Sequence, residues 1–578
     1  YDLAESLASL LDEMQGEGVS PDRIAALDVG NHSAHWARTQ EFLGIVTRLA
    51  GAGMDATARQ REAILALGTL WQASPPADPV IVAGSTGSRG TTALLMQAVA
   101  RLPGCAVVLP GFDFDLPEAV WQSMDDPLTA EDHPQFRFRR VLDLLDCAPS
   151  AVRPWTSARA PAPERNRLIS LSLRPAPVTD QWLTEGRDLP DLLPATEGMT
   201  LLEAPSERVE ALAVALILRD AAETGTRAAL VTPDRNLARR VTATLDRWGI
   251  RPDDSAGRPL AQSPPGRLLR QMAALAGQRL TIDGLLAVLK HPLVFTGEGG
   301  ALGRGAHLIL TREFELHARR HGPVFPDADS LSAWAQGVTL PGAADWAAVL
   351  GAALCGPVQS DPLPLPSVVA RHLAAVERLA RGFAPEGTGS LWLKEAGRAA
   401  KTAMEGLVAE AAAGTDVTAP DYANLLRTVL SGEVRETETV HPLIAIRGTL
   451  EARVQGAELV VLGGLNDGVW PASAKPDPWL NRAMRKAAGL LLPERQIGLS
   501  AHDYQQAVAA PRVVLSRSLR GAEAQTVPSR WLNRLENLMA GLPDQQGPDA
   551  LKAMRQRGED WLSLAAAYDK PPGLALSL

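Results

Sequence analysis

Two short apolar runs near the start of the chain bracket a glycine-rich loop and a helix, and this order limits the fold more than any other feature. Residues 79–83 (Pro-Val-Ile-Val-Ala) read as a buried strand, Gly84 to Gly90 (Gly-Ser-Thr-Gly-Ser-Arg-Gly) as a tight loop, Thr91 to Leu102 as a helix and residues 106–110 as a second strand. A helix between two strands crosses one face of the sheet and leaves the strands parallel. The pattern returns further on. Glu207 to Glu223 reads as an amphipathic helix, residues 228–232 as a strand, and Asn236 to Trp248 as a helix stopped by Gly249. Strand signals resume at 440–446 and 458–462. The chain is therefore expected to be α/β, with two parallel-sheet domains that carry helical insertions.

At 578 residues the chain is long enough for several cores. The pattern predicts a helical segment over 1–75, the rest of a first α/β domain over 76–150, and a Pro/Arg-rich connecting segment over 151–199. A second α/β domain is expected over 200–300, interrupted by a helical insertion over 301–435 and completed over 436–540. Residues 541–578, with Pro571, Pro572 and Gly573, read as a linker. No stretch approaches the roughly 18 uninterrupted apolar residues of a membrane span. Cys105, Cys147 and Cys355 form no CxxC pair, so no disulfide framework or clustered metal site is expected, and a reducing cytoplasm is the expected location.

The Gly84 loop (Gly84, Ser85, Thr86, Gly87) has the strand–loop–helix setting in which backbone N–H groups can cradle a phosphate. It lacks the Gly-Lys-Ser/Thr of a P-loop, and no such triplet occurs anywhere in the chain. A structural turn is the competing reading. Asp12-Glu13 imitates an Mg²⁺-binding acidic pair but lies in a Leu-periodic helix, where a solvated face is expected. His32/His35 and His317/His321 are close pairs without a third ligand and read as surface histidines. No catalytic nucleophile, nuclease-type acid–Lys pairing or metal site stands out.

The net charge of −9 requires any polyanion contact to be local. From Arg482 to Arg534 nine basic residues stand against three acidic ones, a local excess of six. Arg482, Arg485, Lys486, Arg512, Arg520, Arg530 and Arg534 are therefore candidate contacts to a DNA backbone.

Several runs then agree, in order, with one family. Leu462-Gly-Gly-Leu-Asn-Asp-Gly-Val-Trp-Pro471 resembles the GLNEGxWP signature of AddB-type double-strand-break repair subunits. Ala83 to Ser88, Val107-Val-Leu-Pro-Gly-Phe-Asp113, Leu11 to Val19 and Val527-Pro-Ser-Arg-Trp-Leu532 resemble the alphaproteobacterial members. The resemblance implies superfamily 1, RecA-like helicase domains, incomplete here at both ends: the chain would start after the family's P-loop and stop in the linker before its nuclease. It implies a heterodimer with an AddA-type helicase–nuclease subunit, acting on broken ends and single-stranded DNA. ATP/Mg and an iron–sulfur cluster belong to the intact family member, with no cofactor in these residues. Glu451 resembles the Glu of motif V, and Arg517 the motif VI arginine that contacts nucleotide phosphates. The strand before the Gly84 loop ends without a carboxylate to anchor Mg²⁺, which favours a scaffold that binds and scans single strands rather than a motor. An active DNA-dependent ATPase with its P-loop upstream is the alternative. A GT-B-like nucleotide-sugar glycosyltransferase is a remote one.

Overall fold

The computed structural model describes residues 2–27, 34–49, 56–175, 180–300, 302–356, 358–359, 361–435, 440–453, 456–474, 476–522 and 524–570. Its strands, in chain order, are β1 (Ile81–Ala83), β2 (Ala106–Val108), β3 (Met199–Ala204), β4 (Ala228–Val231), β5 (Asp253–Asp254), β6 (Arg258–Pro259), β7 (Leu363–Pro364), β8 (Asp416–Val417), β9 (Glu433–Val434), β10 (Ile444–Arg447), β11 (Leu459–Leu462) and β12 (Arg512–Ser518). The chain divides into two units, one of residues 1–255 and 439–578, the other of residues 256–438.

The first unit is built on a six-stranded, all-parallel sheet in the order β3-β12-β11-β4-β10-β5. Every residue of the central strands β4 and β11 is buried, because helices cover both faces. Glu207–Glu223 packs its Ala/Leu/Val stripe on one face. Helices Pro163–Ser172, Arg495–Val508 and Arg530–Ala540 close the other, with Trp470 at zero exposure among them. A smaller parallel pair, β1–β2, carries the Gly84 loop and the helix Gly90–Ala100. The elements read around 79–110, 207–223, 228–231 and 235–246 are all present.

The residues 256–438 form a helical unit with its own core, centred on Phe314, Trp334 and Trp346. It begins at Ala256, not at 301: helices Pro264–Leu275 and Ile282–Leu289 belong to it, because their apolar faces fill this core.

Two segments expected to be connectors are structural. Residues 151–199 contain the helix Pro163–Ser172, whose Leu168, Ile169 and Leu171 are core residues. Residues 541–578 contain the 23-residue helix Gly547–Asp569, which packs on β3; residues 571–578 of the expected linker lie outside the described residues. Gly558 marks the closest approach, since a Cβ there would drive into the Leu201 carbonyl. Gly558→Ala is expected to cost about 2 kcal/mol through this overpacking, read from a urea unfolding midpoint. No helix among the described residues is long and apolar enough to cross a membrane.

Candidate functional site

At the Gly84 loop, Gly84 and Gly87 adopt positive φ, which glycine adopts without a Cβ penalty. A Cβ at Gly87 would overlap Val141, so the turn is also packed shut there. The first N–H of the following helix, that of Gly90, donates to Glu17 Oε1 at 2.8 Å. Thr91 Oγ1 donates to the Gly16 carbonyl at 3.1 Å, and Arg495 Nη1 donates to the Ser88 carbonyl at 3.1 Å. An internal carboxylate thus stands where a phosphate would meet the helix N-terminus. Burial pushes the Glu17 carboxyl up from its ordinary range, against the pull of the Gly90 N–H, and Arg495 and Arg137 help to hold it charged. Glu17→Ala is expected to lower stability by about 1–2 kcal/mol, the scale of a lost helix cap, in the same urea assay.

A cavity of about 390 Å³ lies at the carboxyl ends of β4, β11 and β12, lined by Glu207, Glu210, Asp234, Arg240, Asn466 and Asp467 among others. Ligands of open parallel sheets bind at strand ends of this kind. Each charge here has an internal role. Asp234 caps the helix Arg235–Asp246 by accepting the Asn236 N–H at 2.8 Å. Glu207 pairs with Arg240 at 3.1 Å and Asp467 with Arg530 at 3.4 Å. Glu210 is 2% exposed and accepts from the Gly464 N–H at 3.0 Å and from Ser516 Oγ at 2.7 Å. Burial still pushes its carboxyl up to about 7.

Arg517 is 4% exposed beside this cavity. It donates to Glu203 at 2.9 Å, to Asn466 Oδ1 at 3.1 Å, and to the Thr526 carbonyl and hydroxyl at 3.2 Å each. Glu203 also takes Arg555 at 3.3 Å. Asn466 donates in turn to the Ser518 carbonyl at 3.1 Å, tying the turn after β11 to β12. Glu451 is exposed on the short helix Thr449–Ala452 and lies outside the residues lining the cavity.

The candidate DNA patch is not one surface. Arg482, Arg485 and Lys486 share the helix Arg482–Ala488, where they pair with Glu494 at 2.8 Å, with Glu13 at 2.5 Å and also Asp477, and with Asp126 at 2.9 Å. Arg512 begins β12 and donates to Thr226 Oγ1 at 3.3 Å, whereas Arg520 follows the opposite end of that strand and is exposed. Arg530 pairs with Asp467. Arg534 donates to the carbonyls of Ser172 and Arg174 and lies over Trp182 at 5.4 Å. A count along the sequence registers charge but not the acids that other segments fold onto it. Glu13 is the clearest case: expected on a solvated face, it holds Arg485 and the Leu491 N–H.

Buried amides also join the β1–β2 part to the large sheet. Asp113 accepts from Gln505 Nε2 at 2.7 Å, while Gln135 accepts the Asp113 N–H at 3.2 Å and donates to Gln505 Oε1 at 2.9 Å.

A nucleotide's phosphates do not fit these donors as they stand: the Gly90 N–H is taken by Glu17, and Arg517 is paired with Glu203. Among the described residues no group of three or more His, Cys, Asp or Glu side chains could hold a metal ion. His317 and His321 lie 5.4 Å apart without such a third ligand, and His32 lies outside the described residues. The three cysteines are free thiols, and burial pushes Cys355 up to about 11, which disfavours the thiolate an iron–sulfur cluster needs.

Fold and cavity together define an α/β protein with the parallel-sheet layout common to Rossmann and RecA-like folds, its strand-end cavity bordered by internal ion pairs. No protein-family model and no curated protein matches the chain.

Proposed function

We propose that the chain is an AddB-type, helicase-like scaffold that binds and scans single-stranded DNA in an ATP-dependent helicase–nuclease complex. In this reading it serves end resection for homologous recombination, an AddA-type partner supplies translocation, and the chain itself is not a motor. The observation that carries the reading is the capture of both phosphate-binding candidates by internal charge: Glu17 on the Gly90 N–H, and Glu203 on Arg517. A motor's nucleotide groups must be free to engage phosphate as its lobes open and close. The Asp113–Gln135–Gln505 network supports the same reading, since opening between its two sides would strand buried polar groups.

The DNA grip is then electrostatic and independent of nucleotide. A fluorescent dT oligonucleotide is expected to bind the whole chain in anisotropy titrations, weakening steeply with salt, with one affinity in the presence or absence of ATP. Absence of binding, or an affinity that ATP resets, would count against the reading.

A further inference from the structure

The arginines counted along 482–534 are mostly consumed, whereas three arginines of the helical unit face one groove without a carboxylate partner. Arg279, Arg371 and Arg378 are exposed around a groove of about 450 Å³. Among the described residues none of the three is paired with a carboxylate. Arg371 reaches only the Gln359 amide, at 3.5 Å, and Arg279 lies over the Phe325 ring at 4.4 Å. The one acid in the lining, Asp327, is engaged at a helix start, where its Oδ1 accepts the Ser330 N–H at 2.8 Å, and it feels the Arg279 charge without forming an ion pair with it.

The shape of the groove adds to this charge. Its apolar lining includes Leu275, Leu354 and Val368. Val324, Phe325 and Val358 stand exposed in or beside it at 66%, 40% and 46%. Arg371 and Arg378 are seven residues apart on the helix Leu365–Arg381, so they share a face and are separated by about 10 Å along its axis. Ala374 and Ala375 lie between them and leave the space open. Unpaired guanidinium groups over an apolar trough suit a chain that presents anions at intervals and flat apolar groups between them. That is the chemistry of single-stranded nucleic acid.

We propose that this groove of the 256–438 unit is a subsite for single-stranded DNA, with phosphates at Arg371, Arg378 and Arg279 and bases against the apolar lining. The proposal rests on the reading that the chain handles single strands. The test is anisotropy with a dT oligonucleotide on the whole chain, comparing wild type with Arg371→Ala/Arg378→Ala and with the charge reversal Arg371→Glu. The double variant is expected to lose about tenfold in affinity at moderate salt, with the salt slope falling by about 0.7 for each arginine removed. Arg371→Glu should weaken binding further, and unfolding midpoints should stay at the wild-type value, because both side chains are exposed. Wild-type binding that the variants leave unchanged would overturn the subsite and spare the scaffold reading. No wild-type binding would overturn both. Displacement by poly-glutamate of a groove-bound probe that dT cannot displace would assign the groove to an acidic protein and overturn the proposal.

Discussion

Arg517→Ala is expected to lower the free energy of unfolding by about 3–5 kcal/mol, the scale for stripping one partner from a buried ion pair. Arg517 spends its donors on a carboxylate, a side-chain amide, a carbonyl and a hydroxyl. Alanine removes all of them and leaves Asn466 Oδ1 buried without its donor. Glu203 keeps Arg555 at 3.3 Å, which places the loss toward the lower end of that range. Arg517→Lys should recover only part of it, since one ammonium cannot reproduce the planar fork. Urea denaturation reads the effect, and a loss below about 1 kcal/mol would mean that Arg517 is not the structural clamp described above.

Glu210→Gln is expected to act in the opposite direction, and only above acidic pH. The folded chain holds the Glu210 proton up to about pH 7, whereas an unfolded carboxyl releases it near 4.5. Between those values unfolding releases a proton, so the native state loses stability as pH rises through the window, and the deficit persists above it. The gap corresponds to about 3 kcal/mol. Glutamine keeps an acceptor for the Gly464 N–H and the Ser516 hydroxyl but carries no charge. The variant should match wild type near pH 4 and exceed it by up to about 3 kcal/mol at pH 8, and it should flatten the pH dependence between. Equal urea midpoints at pH 8 would show that the buried carboxylate carries no such penalty.

These effects separate what the sequence made legible from what it did not. Strands and helices were readable where apolar runs and helical periodicity are local, as at 207–223 and 228–231. The helix Gly547–Asp569 escaped because its polar stretches and terminal prolines resemble a linker, and its partner β3 lies far away in sequence. Glu210 did leave a local signal. Ala213, Val214 and Ile217, at helical spacing from it, are all buried, so an acid on that stripe is an acid in the core. Glu17 left none, because its acceptor role depends on Gly90, brought beside it only by the fold. The Arg482–Arg534 excess misled for the same reason in reverse: Glu13 and Asp126, which neutralise it, come from the other end of the chain.

Isothermal titration of MgATP into the whole chain bears most directly on the idea that its candidate phosphate-binding groups, the Gly90 N–H and Arg517, are already engaged by its own side chains. No saturable heat is expected up to about 1 mM nucleotide, equivalent to binding weaker than about 4 kcal/mol. A one-to-one isotherm with a micromolar Kd, abolished by Arg517→Lys, would contradict it.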